Sequence, residues 1–271
     1  MDNRPIGVFD SGLGGLSVVK ELRKILPNEN IVYFGDTGRV PYGTRGKDTI
    51  LRYASQDIAF LKSHDVKMVV AACGTVSSTI TEDMIKNIGV PYTGVVVPAA
   101  QSACAMSATG RIGVIGTTAT IRSLAFGRAI RSIRPNAVVI GKACPLFVPL
   151  VENGLIDKDN EITKLTAKMY LDSIKAENVD TLILGCTHFP IIYDIISEVM
   201  DYSVVMVDPG KATAEHVKKY LIQNSMLADS EKNGDERFFV SDSVEDFSKT
   251  ASLFLGYSVS GEVERVDIER F

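Results

Sequence analysis

Short runs rich in valine and isoleucine alternate with longer stretches of helical periodicity along most of this chain. Continuous apolar strands separated by helices indicate a parallel sheet with helices on both faces, because each face of such a strand must be covered. The chain is therefore predicted to be an α/β protein. The strands are predicted at residues 6–9, 31–34, 68–72, 93–97, 111–115, 138–140, 181–184, 203–207 and 237–241, with helices that include 17–26, 47–62 and 244–255.

Short sequence segments in the first part of the chain recur in the second part. Three short landmarks occur twice in the same order, at offsets of 106, 113 and 111 residues. Such a period exceeds the roughly 20–50 residues of solenoid repeats and indicates two similar lobes instead. The landmarks pair residues 6–8 with 112–114, 72–75 with 185–188, and 96–99 with 207–210.

The repeat also predicts where the chain passes between the lobes, near residues 97 and 208. The first lobe is predicted to comprise residues 1–96 together with 208–271, and the second lobe residues 97–207. Both sheets are predicted to be mostly parallel. Ligands of open α/β sheets bind outside the carboxyl ends of the strands, so an active site is expected in the cleft between the lobes.

Charge and composition argue against several classes of protein. The 29 basic and 33 acidic side chains give a net charge of −4 without a run of five or six like charges, so no nucleic-acid partner is expected. No stretch reaches the roughly 18 apolar residues of a membrane helix, and a strand from Ile6 leaves no room for a secretion signal. The four cysteines lack CxxC or Cys/His spacing, which predicts neither a disulfide scaffold nor a metal site. We therefore expect a cytoplasmic protein.

Cys73 and Cys186 stand out because each follows an apolar strand and precedes a turn of small residues. A thiol there faces the start of the next helix, which lowers a cysteine pKa from ~8.5 to about 3.5–7.5. The repeat puts the two thiols on opposite walls of one cleft. Two opposed acid/base groups suit racemisation, in which a proton leaves one face of a carbon and another arrives at the opposite face. Cys104 and Cys144 are interpreted as small structural residues.

Three further polar residues are candidates for the same site, each with a structural alternative. His188 either orients the Cys186 thiol or exchanges a proton with it, or else it starts a helix and bonds the backbone. Asp10, at a strand end, is either the N-cap of the next helix or a base that acts through a neighbouring site residue. Glu152 is either a site carboxylate near His188 or a solvated loop residue.

Two glycine-containing loops follow the first two predicted strands. The loop at 10–15, Asp-Ser-Gly-Leu-Gly-Gly, allows a tight turn and exposes amides that suit an anion. Its spacing fits neither the dinucleotide-binding motif nor a phosphate-binding P-loop. The loop at 35–43 ends in Pro41-Tyr42-Gly43, a rigid turn with a flexible exit. It could supply amides and a phenol to a ligand, or it could be a surface turn.

These segments together resemble the glutamate racemase family, within the aspartate/glutamate racemase superfamily. The resemblance implies two α/β lobes, cofactor-independent interconversion of L- and D-glutamate, and a supply of D-glutamate for peptidoglycan. It also implies a homodimer, although no feature of the sequence identifies an interface. The matching segments, in the family's order, are GVFDSGLGGLSV at 7–18, GDTGRVPYGTR at 35–45, AACGT at 71–75, VENG at 151–154 and LGCTHFP at 184–190.

By the same resemblance, Cys73 is the base that acts on the D enantiomer and Cys186 the base that acts on the L enantiomer. Asp10 is implied to assist the first thiol and His188 the second, with Glu152 as a further carboxylate beside the second thiol. The implied substrate-binding residues are Asp10, Ser11, Pro41, Tyr42, Gly43, Gly74, Thr75, Thr187 and His188.

Gly74 departs from the family pattern, which has asparagine after the first cysteine. Loss of an amide bond to a charged substrate is expected to cost about 1.5–3 kcal/mol, or roughly 10- to 150-fold in affinity. This departure keeps open an amino-acid racemase of altered preference, such as one for aspartate. A two-lobed binding or regulatory protein without catalysis is the third hypothesis.

Overall fold

Ten parallel strands organise the protein, whose computed structural model describes residues 1–229, 233–259 and 263–271. The strands are β1 (Ile6–Asp10), β2 (Ile31–Gly35), β3 (Met68–Ala71), β4 (Tyr92–Gly94), β5 (Arg111–Gly116), β6 (Val138–Ala143), β7 (Thr181–Leu184), β8 (Val205–Val207), β9 (Glu236–Val240) and β10 (Val263–Arg265). They form a six-stranded sheet in the order β10-β9-β2-β1-β3-β4 and a four-stranded sheet in the order β6-β5-β7-β8.

Helices connect the strands and cover both sheets. None of the helices in the described ranges combines the length and apolar character needed to cross a bilayer. The helices are α1 (Leu16–Ile25), α2 (Lys47–Ser63), α3 (Gly74–Thr79), α4 (Glu82–Asn87), α5 (Val96–Met106), α6 (Thr118–Ser123), α7 (Ala125–Ile133), α8 (Phe147–Glu152), α9 (Glu161–Lys175), α10 (Tyr193–Val199), α11 (Pro209–Gln223) and α12 (Val244–Leu255).

The two sheets share one topology, which confirms the predicted pseudo-symmetric α/β fold. The order β2-β1-β3-β4 in the first sheet matches β6-β5-β7-β8 in the second. The glycines of the repeated Ile-Gly-Val landmark even occupy equivalent register positions, since Gly7 lies opposite Val69 and Gly113 lies opposite Leu182. The repeat in the sequence is therefore a repeat of structure.

Burial explains why the central strands read as continuous apolar runs. Every residue of β1, β2, β3 and β7 is buried, because helices cover both faces of these strands. The edge strand β6 is half-exposed and correspondingly mixed in composition. It extends three residues beyond the predicted 138–140, a continuation that its glycine and lysine did not indicate.

One predicted strand is partly wrong. Residues 93–97 were expected to form a strand, but β4 ends at Gly94 and α5 begins at Val96. The β-branched valines favour a strand, whereas Pro98 in the first helical turn suits a helix start, because the amide it lacks has no intrahelical partner there. The residues from Val96 onward are therefore helical.

Two helices carry the chain between the sheets. Helix α5 leads from β4 to β5, α11 leads from β8 back to the first sheet, and the two helices pack against each other. The predicted lobe boundaries at 96/97 and 207/208 stay a prediction. The carboxyl ends of the central strands of both sheets face a common cleft.

Candidate active site

A cavity of about 330 Å³ lies between the carboxyl ends of the two sheets. Its walls are the loops that follow β1, β2 and β3 on one side and β5, β6 and β7 on the other. All the residues predicted for the site line this cavity except Asp10. Nine further residues line it as well: Gly12, Val40, Thr44, Thr117, Thr118, Pro145, Val148, Pro149 and Gly185.

Cys73 lies on the first wall, immediately before α3. Its side chain is 4% exposed, and its Sγ donates to Ser11 Oγ at 3.5 Å. Burial, reinforced by the charge of Asp10, raises the pKa of the Cys73 thiol to about 12. The prediction that the following helix would lower this pKa is therefore wrong, since the six-residue helix does not offset burial. Cys73 carries its proton at neutral pH.

Asp10 is the last residue of β1 and is almost completely buried. Its Oδ2 accepts a hydrogen bond from the Gly12 amide at 3.1 Å. Burial raises the pKa of Asp10, against the opposing effects of His188 and of the Gly15 and Gly12 amides. Asp10 thus lies behind the first thiol and acts on it electrostatically rather than through the open cavity.

Cys186 lies on the opposite wall, at the head of a chain of three side chains. Its Sγ is 3.9 Å from His188 Nδ1, and His188 Nε2 is 3.1 Å from Glu152 Oε1. Burial alone would lower the pKa of His188, but Cys186 and Glu152 outweigh burial and raise it to about 10. His188 is therefore an imidazolium at neutral pH, and its positive charge stabilises negative charge on the Cys186 sulfur.

The helix predicted directly after Cys186 begins later than expected. A 3₁₀ turn spans Phe189–Ile192, and α10 starts only at Tyr193. The group that faces the Cys186 sulfur is consequently the His188 ring rather than a helix terminus. Of the two alternatives for His188, the geometry favours the one in which it orients the thiol.

The two thiols therefore have different electrostatic surroundings. Cys73 lies beside the buried carboxyl group of Asp10, which disfavours a thiolate. Cys186 lies beside an imidazolium that Glu152 supports. The sulfur atoms on the two walls therefore face groups of opposite charge.

Two glycines allow the walls to approach each other closely. A Cβ atom at Gly14 would lie 2.1 Å from Thr187 Oγ1 and 2.7 Å from the His188 ring. A Cβ atom at Gly74 would lie 2.5 Å from the Gly185 carbonyl oxygen. Real Cβ contacts are never this short, so both positions require glycine while the lobes are in this arrangement.

The Gly74 contact gives a physical reason for the departure from the family pattern. The backbone of the first cysteine loop packs directly on the backbone of the second, leaving no space for an asparagine side chain. A hydroxyl pair close by also joins the lobes, since Thr75 Oγ1 and Thr117 Oγ1 are 3.0 Å apart.

The phenol of Tyr42 is directed away from the cavity. Its hydroxyl donates to the carboxylates of Asp36 and Asp57, and Arg39 also bonds both carboxylates, at 2.6 and 3.1 Å. The hydroxyl is therefore engaged by two carboxylates that do not line the cavity, whereas Tyr42 itself does line it, and its binding of a ligand stays a prediction. Residues 40–44 of this loop line the cavity, and the buried carboxylates hold the Tyr42 side chain in place.

Thr117 and Thr118 were missed by the reasoning from sequence, although the repeat contained the information. The offset of 106 that relates Ile6 to Ile112 also carries Ser11 to Thr117. Both residues follow the first strand of their lobe and line the cavity. Pro145, Val148 and Pro149 had no comparable indication, because the second strand of that lobe was predicted to end too early.

Comparisons with known proteins agree with this architecture. The sequence profile described as Asp/Glu/Hydantoin racemase matches residues 6–217. A glutamate racemase of Geobacter metallireducens is 43% identical over 266 residues, which cover 98% of this chain and 97% of the relative. Among solved structures, a glutamate racemase of Francisella tularensis in complex with D-glutamate superposes with a TM-score of 0.92 at 37% identity over the full length of both chains. A glutamate racemase isoform of Bacillus anthracis gives a TM-score of 0.94 at 35% identity, covering 98% of both chains.

Proposed function

The chain belongs to the Asp/Glu/Hydantoin racemase family, and on that premise we propose that it interconverts L- and D-glutamate through two cysteines, without a cofactor. It is a racemase, an enzyme of the isomerase class. One observation carries the two-base proposal. Cys73 and Cys186 come from equivalent strand ends of the two sheets and line a single cavity from opposite walls.

The protonation states suggested by the surroundings define the first half of the reaction. With L-glutamate bound, the Cys186 thiolate removes the α-proton, and the electron pair of the broken C–H bond stays on the α-carbon. The Cys73 thiol then donates its proton to the opposite face of that carbon, which forms D-glutamate. The enzyme is left with a Cys186 thiol and a Cys73 thiolate, and the reverse reaction starts from this form.

The neighbouring residues adjust the basicity of each thiol. Asp10 destabilises the Cys73 thiolate, which makes that thiolate a strong base toward D-glutamate. The imidazolium of His188 stabilises the Cys186 thiolate and remains charged through neutral pH. Glu152 holds the imidazole ring through the 3.1 Å bond to Nε2. These three residues therefore assist proton transfer at a weakly acidic carbon.

Hydroxyl groups and loop backbone are the candidates for holding the substrate. Ser11, Thr75 and Thr187 line the same cavity as the two cysteines, together with residues 41–43. Their donors suit the carboxylates of glutamate, and a cavity of about 330 Å³ suits a small ligand. Thr117, which pairs with Thr75 across the lobes, joins this set.

We place the product in the supply of D-glutamate for peptidoglycan, made in the cytoplasm by a homodimer. The similarity of the whole chain to proteins named glutamate racemase supports glutamate over aspartate as the substrate. The hypothesis of a non-catalytic binding protein has no support from these relatives.

The test uses purified protein with D-glutamate in D₂O and no added cofactor. Proton NMR follows loss of the α-proton signal, and circular dichroism follows the loss of optical activity. Both signals should decay, with deuterium at the α-carbon of the product. If D-aspartate is turned over and D-glutamate is not, the substrate assignment is wrong; if neither reacts with the folded, reduced protein, the function is wrong.

A further inference from the structure

A second cavity, of about 730 Å³, opens next to the one that holds the two thiols. The two cavities share Gly43, Thr44 and Thr118 in their walls, so they adjoin each other. We call the outer cavity the vestibule. The mechanism above does not use the side chains that belong to the vestibule alone.

Four cationic side chains line the vestibule, two from each side of the cleft. Arg45 and Lys47 come from the loop after β2 and the start of α2, while Arg122 and Arg128 come from α6 and α7. All four are exposed, and among the residues that the structure describes no carboxylate lines the vestibule. The acidic Asp48 is adjacent to Lys47 in sequence but does not line this space.

These cations are not neutralised by neighbouring side chains. Within the described part of the chain, none of the four forms an ion pair. Arg128 does donate to the Ser123 carbonyl oxygen at 2.7 Å, which leaves its charge in place. The protein as a whole has a net charge of −4, so the mouth of the cleft is a local exception.

The inner cavity differs from the vestibule in charge. Across the described ranges no lysine or arginine lines it, and its positive group is His188, which is engaged by Cys186 and Glu152. Glutamate carries two carboxylates and one ammonium group, so it approaches as an anion. A cleft lined by charges of one sign concentrates ligands of the opposite sign, by about 10- to 10³-fold in favourable cases.

We propose that the vestibule is an outer binding site that captures an anionic dicarboxylate amino acid before it enters the inner cavity. This inference rests on the proposed function, because it takes the racemase substrate as the captured anion. The buried hydroxyl of Ser78 in the vestibule wall has no hydrogen-bond partner in the described structure and adds a donor beside the four cations. The hydroxyls of Thr79 and Ser123 already donate to the Thr75 and Thr120 carbonyl oxygens. Since both lobes contribute two cations, a captured anion lies between the lobes at the entrance.

The first test needs no substitution. Initial rates of D-glutamate racemisation are measured against substrate concentration at about 0.01 M and about 0.5 M ionic strength. The Debye length falls from about 30 Å to under 8 Å over this range, so the field of exposed cations is largely screened. KM should rise about tenfold, the lower end of the range for a charged cleft, and the change should fall on KM rather than on kcat.

The second test removes the charges and keeps the size of the side chains. The Arg45→Gln/Lys47→Gln and Arg122→Gln/Arg128→Gln variants should each raise KM about threefold at low ionic strength, and the fourfold variant about tenfold. The fourfold variant should also lose the salt dependence of KM. Lys168→Gln/Lys218→Gln is the control for net charge, since these exposed lysines of α9 and α11 do not line the cleft. Its KM should stay within about 1.5-fold of the wild type.

The outcomes separate this proposal from the proposed function. Racemisation of D-glutamate with a KM that is independent of both salt and the four cations overturns the vestibule and leaves the function intact. An equal rise of KM in the control variant also overturns it, because net charge would then be sufficient. Absence of racemisation by the wild-type protein at saturating D-glutamate is instead a failure of the proposed function.

Discussion

Replacing Gly74 by alanine or asparagine tests the backbone contact between the two cysteine loops. A Cβ atom at position 74 would lie 2.5 Å from the Gly185 carbonyl oxygen, whereas ordinary contacts begin at 3.4 Å. The obstacle is backbone on both sides, so no side-chain rotation relieves it. The loops that carry Cys73 and Cys186 must therefore move apart by about 1 Å.

The size of the effect follows from that displacement. Introducing one carbon into a filled site costs about 1–3 kcal/mol of folding free energy. A displacement of about 1 Å between reacting groups lowers the rate roughly 10²-fold. We therefore expect Gly74→Ala to reduce kcat/KM about 10²-fold and to lower the free energy of unfolding by about 1–3 kcal/mol.

Gly74→Asn distinguishes two explanations of why glycine occupies position 74. If the glycine merely lacks a useful amide, restoring asparagine should increase substrate affinity by roughly 10- to 150-fold. The close approach of Gly185 instead predicts that asparagine is at least as harmful as alanine. The steric explanation thus predicts a loss where the family pattern predicts a gain.

The assay is racemisation in both directions by circular dichroism, with urea unfolding of the same preparations. Gly141→Ala is the control, because a Cβ there would meet its nearest atom at an ordinary 3.4 Å and the residue lies outside the cavity. Its activity should remain within about twofold of the wild type. Wild-type activity in Gly74→Ala, or tighter substrate binding in Gly74→Asn, would refute the steric reasoning.

Three further predictions concern the groups around the cavity. Because the pKa of His188 is raised to about 10, its positive charge persists below that pH and is lost above it, so kcat/KM for both enantiomers should fall above about pH 10. Glu152→Gln removes one cause of the raised pKa and should move this fall about one pH unit lower in a pH–rate profile; an unchanged profile contradicts the assignment. Tyr42→Phe removes a donor from two buried carboxylates and should lower the free energy of unfolding in urea by about 1–3 kcal/mol. Tyr53→Phe is the control: the Tyr53 hydroxyl has no hydrogen bond in the described structure, so this variant should lower the free energy of unfolding by under about 0.5 kcal/mol. Saturating D-glutamate should slow alkylation of the two cleft thiols by iodoacetamide without slowing that of Cys104, and equal rates with and without ligand would argue against a ligand between the thiols.

Much of the fold could be predicted from the sequence because the central strands are buried along their whole length. Central strands such as β1 and β7 are covered on both faces, so their composition alone identifies them. The repeated landmarks then related one sheet to the other. The strand prediction for 93–97 was partly wrong because valine favours a strand by its shape, whereas Pro98 suits the first turn of α5, which starts at Val96.

The cavity-lining residues were predictable where a motif marks a strand end, and their electrostatics were not. Cys73 and Cys186 look alike in sequence, yet one lies beside a buried aspartate and the other beside an imidazolium. Asp10 comes from a distant part of the chain, and so does Glu152, which supports the imidazolium of His188. The carboxylates that accept from the Tyr42 hydroxyl lie 6 and 15 residues along the chain. Nor does spacing along the chain reveal that position 74 touches a backbone atom more than 100 residues away.

The most direct test of the two-thiol mechanism compares Cys73→Ser and Cys186→Ser with the control Cys104→Ser, each in D₂O with either enantiomer of glutamate. Loss of one acid/base group should lower racemisation roughly 10²- to 10⁴-fold in both directions for the first two variants, while the control keeps wild-type rates. Each cleft variant should also exchange the α-proton of one enantiomer faster than that of the other. Cys73→Ser should exchange L-glutamate faster than D-glutamate, and Cys186→Ser the reverse. Full racemisation in both directions by either cleft variant would contradict the mechanism.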